Sequence, residues 1–173
     1  MSLPRSFPNS HEIARVSAIE VEWYHGARAD LRPLFEQADD SPAQIDAYID
    51  LGEMLVVRSN QQIAGHLQLI ADGTQWEIKS VAVIDRERGH GIGTALIRAA
   101  LNRACAAGAR RVVVAAATAD IDNLRFYQRL GFRMERIERD AFSAERGYHD
   151  DLKVHGLRVR DRVWFSLSCE DCG

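Results

Sequence analysis

Val81-Ala-Val-Ile-Asp-Arg-Glu-Arg-Gly-His-Gly-Ile-Gly-Thr-Ala-Leu96 is the stretch from which the rest of the chain is read. Val81 to Ile84 is a short apolar run of β-formers. Gly89, Gly91 and Gly93 follow, spaced two apart. From Thr94 to Leu101 come strong helix formers with apolar residues three to four apart. The pattern predicts a buried strand, a turn, a glycine-rich loop and a helix. The first turn of a helix leaves about four backbone N–H groups without intrahelical partners. Its dipole adds partial positive charge, and glycine lets the backbone approach a bulky oxyanion. Such a loop is a cradle for phosphate or pyrophosphate, with Arg86 and Arg88 at its mouth. A glycine-rich turn without a ligand is the alternative.

Three loop types compete. A Walker loop needs a lysine before its Ser/Thr, and here Gly93 runs directly into Thr94. A Rossmann fingerprint needs G-x-G-x-x-G and a later acidic residue. The spacing here is G-x-G-x-G, and the region near position 110 is Arg110-Arg111. The third pattern is Arg88-x-x-Gly91-x-Gly93 behind a strand ending in Ala82-Val83. A second motif comes later, Asn123-Leu-Arg-Phe-Tyr-Gln-Arg-Leu-Gly-Phe132. On a helix, Asn123 and Tyr127 share a face, Phe126 and Leu130 form an apolar stripe, and Gly131 ends the element.

Together the two motifs resemble the GCN5-related N-acetyltransferases, over residues 16–168. The resemblance implies a single α/β (α+β) domain. Its central, mixed, mostly antiparallel twisted sheet has about seven strands and is flanked by about four helices. It implies acetyl-CoA as cosubstrate. Backbone groups of Arg88, Gly89, His90, Gly91, Ile92, Gly93 and Thr94 would face the pyrophosphate. Val81, Ala82 and Val83 would hold the pantetheine arm as an added strand, and Asn123 and Tyr127 complete the cofactor side. Family members often carry Pro where this chain has Asp85 and an aromatic residue where it has Glu87.

Acetyl transfer to an amine needs a base, an oxyanion donor and an acid for the leaving thiolate. Tyr127 is the expected acid. Glu77 is the expected base, acting directly or through water; His66, Asp140 and His149 are the other bases considered, and His66 also reads as a core imidazole. The oxyanion donor is expected among the backbone N–H groups near Val81 or Val83. The acceptor is a primary amine of a small molecule or peptide. Glu22, Asp46, Glu53, Asp140, Asp150 and Asp151 are expected to flank its cleft. The alternative is a non-catalytic acyl-CoA-binding or regulatory module on the same fold. Glu77 and Tyr127 together favour the enzyme.

A length of 173 residues suits one domain with a sizeable core. The net charge of −3 argues against a nucleic-acid binder built on a basic face. No apolar run approaches the roughly eighteen residues of a membrane span. The N-terminus lacks a signal-peptide core, so the expected location is the cytoplasm. Relatives are often dimers, and the final strand is one candidate interface.

In chain order, residues 1–15 are expected as a loose arm and Val16 to Tyr24 as a strand. A short helix spans Arg28 to Ala38, and a second one, capped by Ser41, spans Ala43 to Leu51. Strands follow at Glu53 to Arg58, Ile63 to Ala71 and Gln75 to Ile84. The glycine-loop helix runs from Gly91 to Ala107. Strand Arg111 to Ala117, helix Ile121 to Leu130 and strand Phe132 to Glu138 come next. Residues 140–157 are expected as a long polar loop, and Leu157 to Leu167 as the last strand. Cys105 reads as a small core residue. Cys169 and Cys172 read as thiols of a frayed tail over residues 169–173, with no metal site in view.

Overall fold

The computed structural model describes residues 19–171. The arm over residues 1–15 and Cys172 therefore lie outside the described residues, as does the start of the first strand. Nine strands form among the described residues, β1 (Val21–Trp23), β2 (Glu53–Ser59), β3 (Gln62–Asp72), β4 (Gln75–Val83), β5 (Arg111–Ala117), β6 (Arg133–Glu138), β7 (Lys153–Val154), β8 (Leu157–Arg158) and β9 (Arg162–Ser168). Four α-helices join them among the described residues, α1 (Arg32–Ala38), α2 (Pro42–Tyr48), α3 (Ile92–Ala106) and α4 (Ile121–Arg129). The main sheet has the order β1-β2-β3-β4-β5-β9-β6. Every neighbouring pair is antiparallel except β4 and β5.

The order places α3 on one face. Its buried residues Ile92, Leu96, Ile97, Ala100, Leu101 and Ala104 repeat at helical spacing and pack with Leu55, Leu67, Leu69, Ile78 and Val112. Burial of each large aliphatic side chain there contributes about 1.5–3 kcal/mol. Gly65 makes the close approach possible. A Cβ at that position would stand 3.0 Å from the Ala82 carbonyl and 3.0 Å from Ile92. The other face is covered by Leu31 of the 3-10 turn Arg28–Leu31, Leu34 and Phe35 of α1, and Ile45 and Tyr48 of α2, against Met54, Val56 and Ala82. Pro33 sits in the first turn of α1, where its missing N–H costs nothing. Ser41 caps α2 by accepting from the Gln44 N–H.

Two features of strand register open the sheet. Strands β4 and β5 pair only from Gln75↔Arg111 to Ile78↔Val114. Beyond that, β4 continues along β3 to Val83↔Gly65, while β5 continues along β9 to Ala117↔Arg162. The sheet forks, and the β5-facing edge of β4 from Lys79 to Val83 has no strand beside it. At the fork, Gln68 pairs with Ser80 but Leu69 pairs with Ile78, so Lys79 is bulged out of the β3 register.

Several expectations are corrected. The polar loop over residues 140–157 is a folded strap. It carries a 3-10 turn at Ala144–Arg146 and the ribbon β7–β8, whose turn residues His155 and Gly156 have φ of 52° and 77°. Ala141, Tyr148 and Val159 anchor it by burial. The Ser41 hydroxyl donates to the Arg146 carbonyl at 3.1 Å, which ties the strap to the α1–α2 corner. The last strand begins at Arg162 instead of Leu157, because the ribbon takes up the intervening residues. It lies inside the sheet, between β5 and β6; the edge strand is β6, which exposes Met134 and Ile137. Cys105 is only half-buried and is disulfide-bonded to Cys169. The expected tail therefore begins as a 3-10 turn, Cys169–Asp171, fixed to the end of α3.

Candidate active site

The fork opens a cavity of about 1040 Å³. One wall is Glu77 to Val83 of β4, and the opposite wall is Val114 to Ala117 of β5. The glycine loop and the start of α3 close one end, together with Asp120, Asn123, Phe126 and Tyr127. Asp39 and Asp40 from the end of α1 close the other with Phe142 and Tyr148 of the strap, whose His155 lies beside Asp120 at the first end.

The cradle forms for local reasons. A 3-10 turn at Asp85–Glu87 ends with the Arg88 N–H donating to the Asp85 carbonyl at 3.2 Å. That amide is occupied, so Arg88 contributes its side chain. Its Nε donates to the Val83 carbonyl at 3.1 Å, and its Nη2 lies 3.1 Å from Asp85 Oδ1. Gly91, with φ of 88°, starts α3 from the left-handed region that a β-carbon disfavours. The first intrahelical bond runs from Ala95 to Gly91. The N–H groups of Ile92, Gly93 and Thr94 thus have no intrahelical acceptor and stand at the cavity. A Cβ on Gly93 would lie 3.3 Å from Phe126, so α3 and α4 meet there without one. Gly89 also lines the cavity, whereas His90 is exposed and does not.

Helix α4 sets the second group. Asp120 caps it, taking the Asn123 N–H at 3.0 Å and the Asn123 side-chain amide at 2.7 Å. The C-terminus closes as a Schellman motif. Phe132 N–H donates to the Tyr127 carbonyl and Gly131 N–H to the Gln128 carbonyl, each at 3.1 Å. Tyr127 is locked among Phe126, Phe132 and Phe165, with ring centroids 5.3, 5.9 and 5.5 Å away. Burial raises the Tyr127 pKa well above the usual phenol range, and the Asp120 carboxylate adds to the rise. Its hydroxyl makes no hydrogen bond to any described residue.

Glu77 and Lys79 both project from β4 into this cavity. Lys79 Nζ lies 3.3 Å from Glu77 Oε1 and 5.1 Å from the Tyr48 ring centroid. The bulge at Lys79 breaks the ladder close to Val81, where an oxyanion donor is expected.

The other candidate bases lie elsewhere. His66 is fully buried, packed against Phe35 with ring centroids 4.5 Å apart and the planes tilted by 33°, and shares a 2.8 Å hydrogen bond between Nε2 and Ser80 Oγ. Burial, with the charge of Arg28, pushes its pKa down to about 3, which makes it a neutral core imidazole. Asp140 lines a separate cleft of about 290 Å³, and His149 is exposed outside the main cavity.

The expected acceptor carboxylates are also elsewhere. Glu22, Asp46, Glu53, Asp140 and Asp150 do not line the main cavity. Each is paired with an arginine, respectively Arg58, Arg32, Arg103, Arg160 and Arg158. Asp151 is exposed and does not line it either.

The carboxylates that do line it at that end, besides Glu77, are Asp39 and Asp40. Asp39 accepts from the Ser41 N–H at 3.0 Å and the Tyr48 hydroxyl at 3.2 Å. Partial desolvation and the neighbouring Asp39 hold the Asp40 carboxyl above its usual range, against the pull of His149. In the sequence, Asp39-Asp40-Ser41-Pro42 reads only as a turn and cap. His155 lies 3.4 Å from Asp122 and pins the strap to the start of α4. Among the described residues, no group of three or more His, Cys, Asp or Glu side chains could hold a metal ion. No described helix is long and apolar enough to cross a membrane.

Comparison with known proteins agrees with this geometry. The model of the acetyltransferase (GNAT) family matches residues 20–132. An uncharacterised N-acetyltransferase of Bacillus subtilis, YvbK, is 29% identical over 146 residues, covering 84% of this chain and 93% of that protein. A Bacillus subtilis acetyltransferase solved in complex with CoA superposes with a TM-score of 0.78 at 28% identity, covering 87% of this chain and 98% of its own. A GNAT family acetyltransferase from Elizabethkingia anophelis, solved with acetyl-CoA bound, shares the fold. Its TM-score is 0.80 at 24% identity, with 88% and 99% covered.

Proposed function

The chain belongs to the acetyltransferase (GNAT) family, and from that premise we propose that it transfers the acetyl group of acetyl-CoA to a primary amine of a small molecule or peptide. The observation that carries the reading is the fork. An unpaired strand edge from Lys79 to Val83 lies in one cavity with the free amides of Ile92, Gly93 and Thr94 and with Tyr127. The fit to acetyl-CoA rests on these groups. The cradle offers N–H donors and a helix dipole to a pyrophosphate, and Gly91 and Gly93 place no side chain in its way. The β4 edge offers backbone donors and acceptors to the amides of a pantetheine arm. Arg88, Arg125 and Arg129 add positive charge on that side.

In the proposed mechanism, Glu77 takes a proton from the acceptor ammonium, directly or through one water, and so releases the lone pair that attacks the thioester carbonyl. Backbone N–H groups at Val81 or Val83 receive the oxyanion. Tyr127 donates to the sulfur as the C–S bond breaks. Its raised pKa keeps the hydroxyl protonated at any physiological pH. A homodimer would use the exposed Met134 and Ile137 of edge strand β6 instead of the interior β9.

The test is thiol release from acetyl-CoA against aminoglycosides, polyamines, amino acids and short peptides. Release stimulated by one amine class is the expected result. A rise in melting temperature with acetyl-CoA but no stimulated release by any amine would replace the enzyme with an acyl-CoA-binding module.

A further inference from the structure

The proposed transfer leaves one nucleophile in the cavity unused. The chain has only two lysines, Lys79 and Lys153. Lys79 is the first residue of β4 past the last β5 pair, Ile78↔Val114, and it is bulged out of the β3 register as well. Its side chain lines the cavity and is 30% exposed. Glu77 Oε1 lies 3.3 Å from Nζ, and the Tyr48 ring centroid lies 5.1 Å from it. Val81, where the thioester slot begins, is two residues along the same strand, about 6.6 Å away. A four-carbon stem that rotates freely covers such a distance. The amine, its base and the acyl slot are therefore contiguous within one short segment.

We propose that Lys79 is a self-acetylation site, modified in cis by the thioester that the cleft binds. The inference rests on the proposed function, since it needs acetyl-CoA in that cleft. The step balances without a further reagent. Glu77 takes one proton from the Lys79 ammonium and passes it to water. The freed lone pair forms the N–C bond to the acetyl carbon while the C–S bond breaks. The second nitrogen proton replaces the one Tyr127 gives to the sulfur, so the products are N-ε-acetyl-Lys79, free CoA thiol and one proton. Acetylation removes the positive charge, ends the ion pair with Glu77, and leaves that carboxylate available to an external amine.

Lys153 provides an internal control. It is exposed on the β7–β8 ribbon and does not line the cavity, so it reports uncatalysed acetylation. The experiment incubates the full chain with acetyl-CoA alone and follows both sites by peptide mass spectrometry. Melting temperatures are recorded on the same samples. Lys79 should acquire one acetyl group at least about a hundredfold faster than Lys153, the lower end of what a positioned base contributes. The half-time should not depend on protein concentration. Lys79→Arg should lose the label while acetyl-CoA still raises the melting temperature. Equal rates at the two lysines, or a half-time that shortens with protein concentration, would overturn the proposal. A raised melting temperature with no label on Lys79 refutes this inference alone. No rise and no label refute the cofactor reading beneath it.

Discussion

Removal of one oxygen, Tyr127→Phe, separates the chemistry of the site from its architecture. The ring is fixed by Phe126, Phe132 and Phe165, and the substitution keeps all of those contacts. The hydroxyl has no partner among the described residues, so its loss leaves no donor or acceptor stranded in the protein. The expected change in folding stability is under about 1 kcal/mol, and acetyl-CoA affinity should stay within a few-fold of wild type. Turnover should fall by about 10²–10⁴, the usual contribution of a positioned acid, which is about 3–5 kcal/mol of barrier. The assay pairs steady-state thiol release at saturating amine with calorimetric titration of acetyl-CoA. Unchanged turnover removes Tyr127 from the mechanism. A large loss of cofactor affinity or melting temperature would show instead that the hydroxyl holds the site together.

Three other perturbations have defined outcomes. Gly93→Val pushes a branched side chain toward Phe126, already 3.3 Å from a single Cβ, and crowds the cradle amides; acetyl-CoA binding by titration should vanish, and retained binding refutes the cradle. His66 titrates near 3 when folded against an ordinary 6.5, so below pH 6.5 the unfolded chain binds a proton that the native state refuses. Stability should then be lost at up to about 1.4 kcal/mol per pH unit as pH falls from 6.5 toward 3; urea melts across this range should show that slope, and His66→Gln should flatten it. The Cys105–Cys169 bridge joins residues 64 apart, worth about 4 kcal/mol by chain entropy. Reduction should therefore lower the melting temperature by about 8–16 °C, and an unchanged temperature would show that the bridge adds nothing to stability.

Much of the fold was legible because its signals are local. Ser41 before Pro42, Gly91 ahead of Ile92 and Gly131 after Leu130 each mark a helix end within a few residues, and each stands there. The expected bounds of β2 to β4 lie within one residue of those observed. The strap was misread because its order comes from distant partners. Ser41 and Asp122 hold it, and neither is near residues 140–157 in the chain. The acceptor carboxylates were misassigned for a similar reason. A charge count along the chain does not reveal that Arg58, Arg32, Arg103, Arg160 and Arg158 neutralise them.

The sequence by itself determined the strand–glycine loop–helix unit and the α4 helix ended by Gly131, the two motifs whose resemblance pointed to the family. Each depends on backbone preferences and spacings contained in a short run of chain. Tertiary structure alone decided where β4 parts from β5, that Lys79 stands at the fork beside Glu77, that Asp39 and Asp40 face the cavity, and that Cys105 meets Cys169. These depend on strand register and packing between segments far apart in sequence. Many pairings of such segments satisfy the same local pattern, and burial of the two cores on either side of the sheet selects one of them.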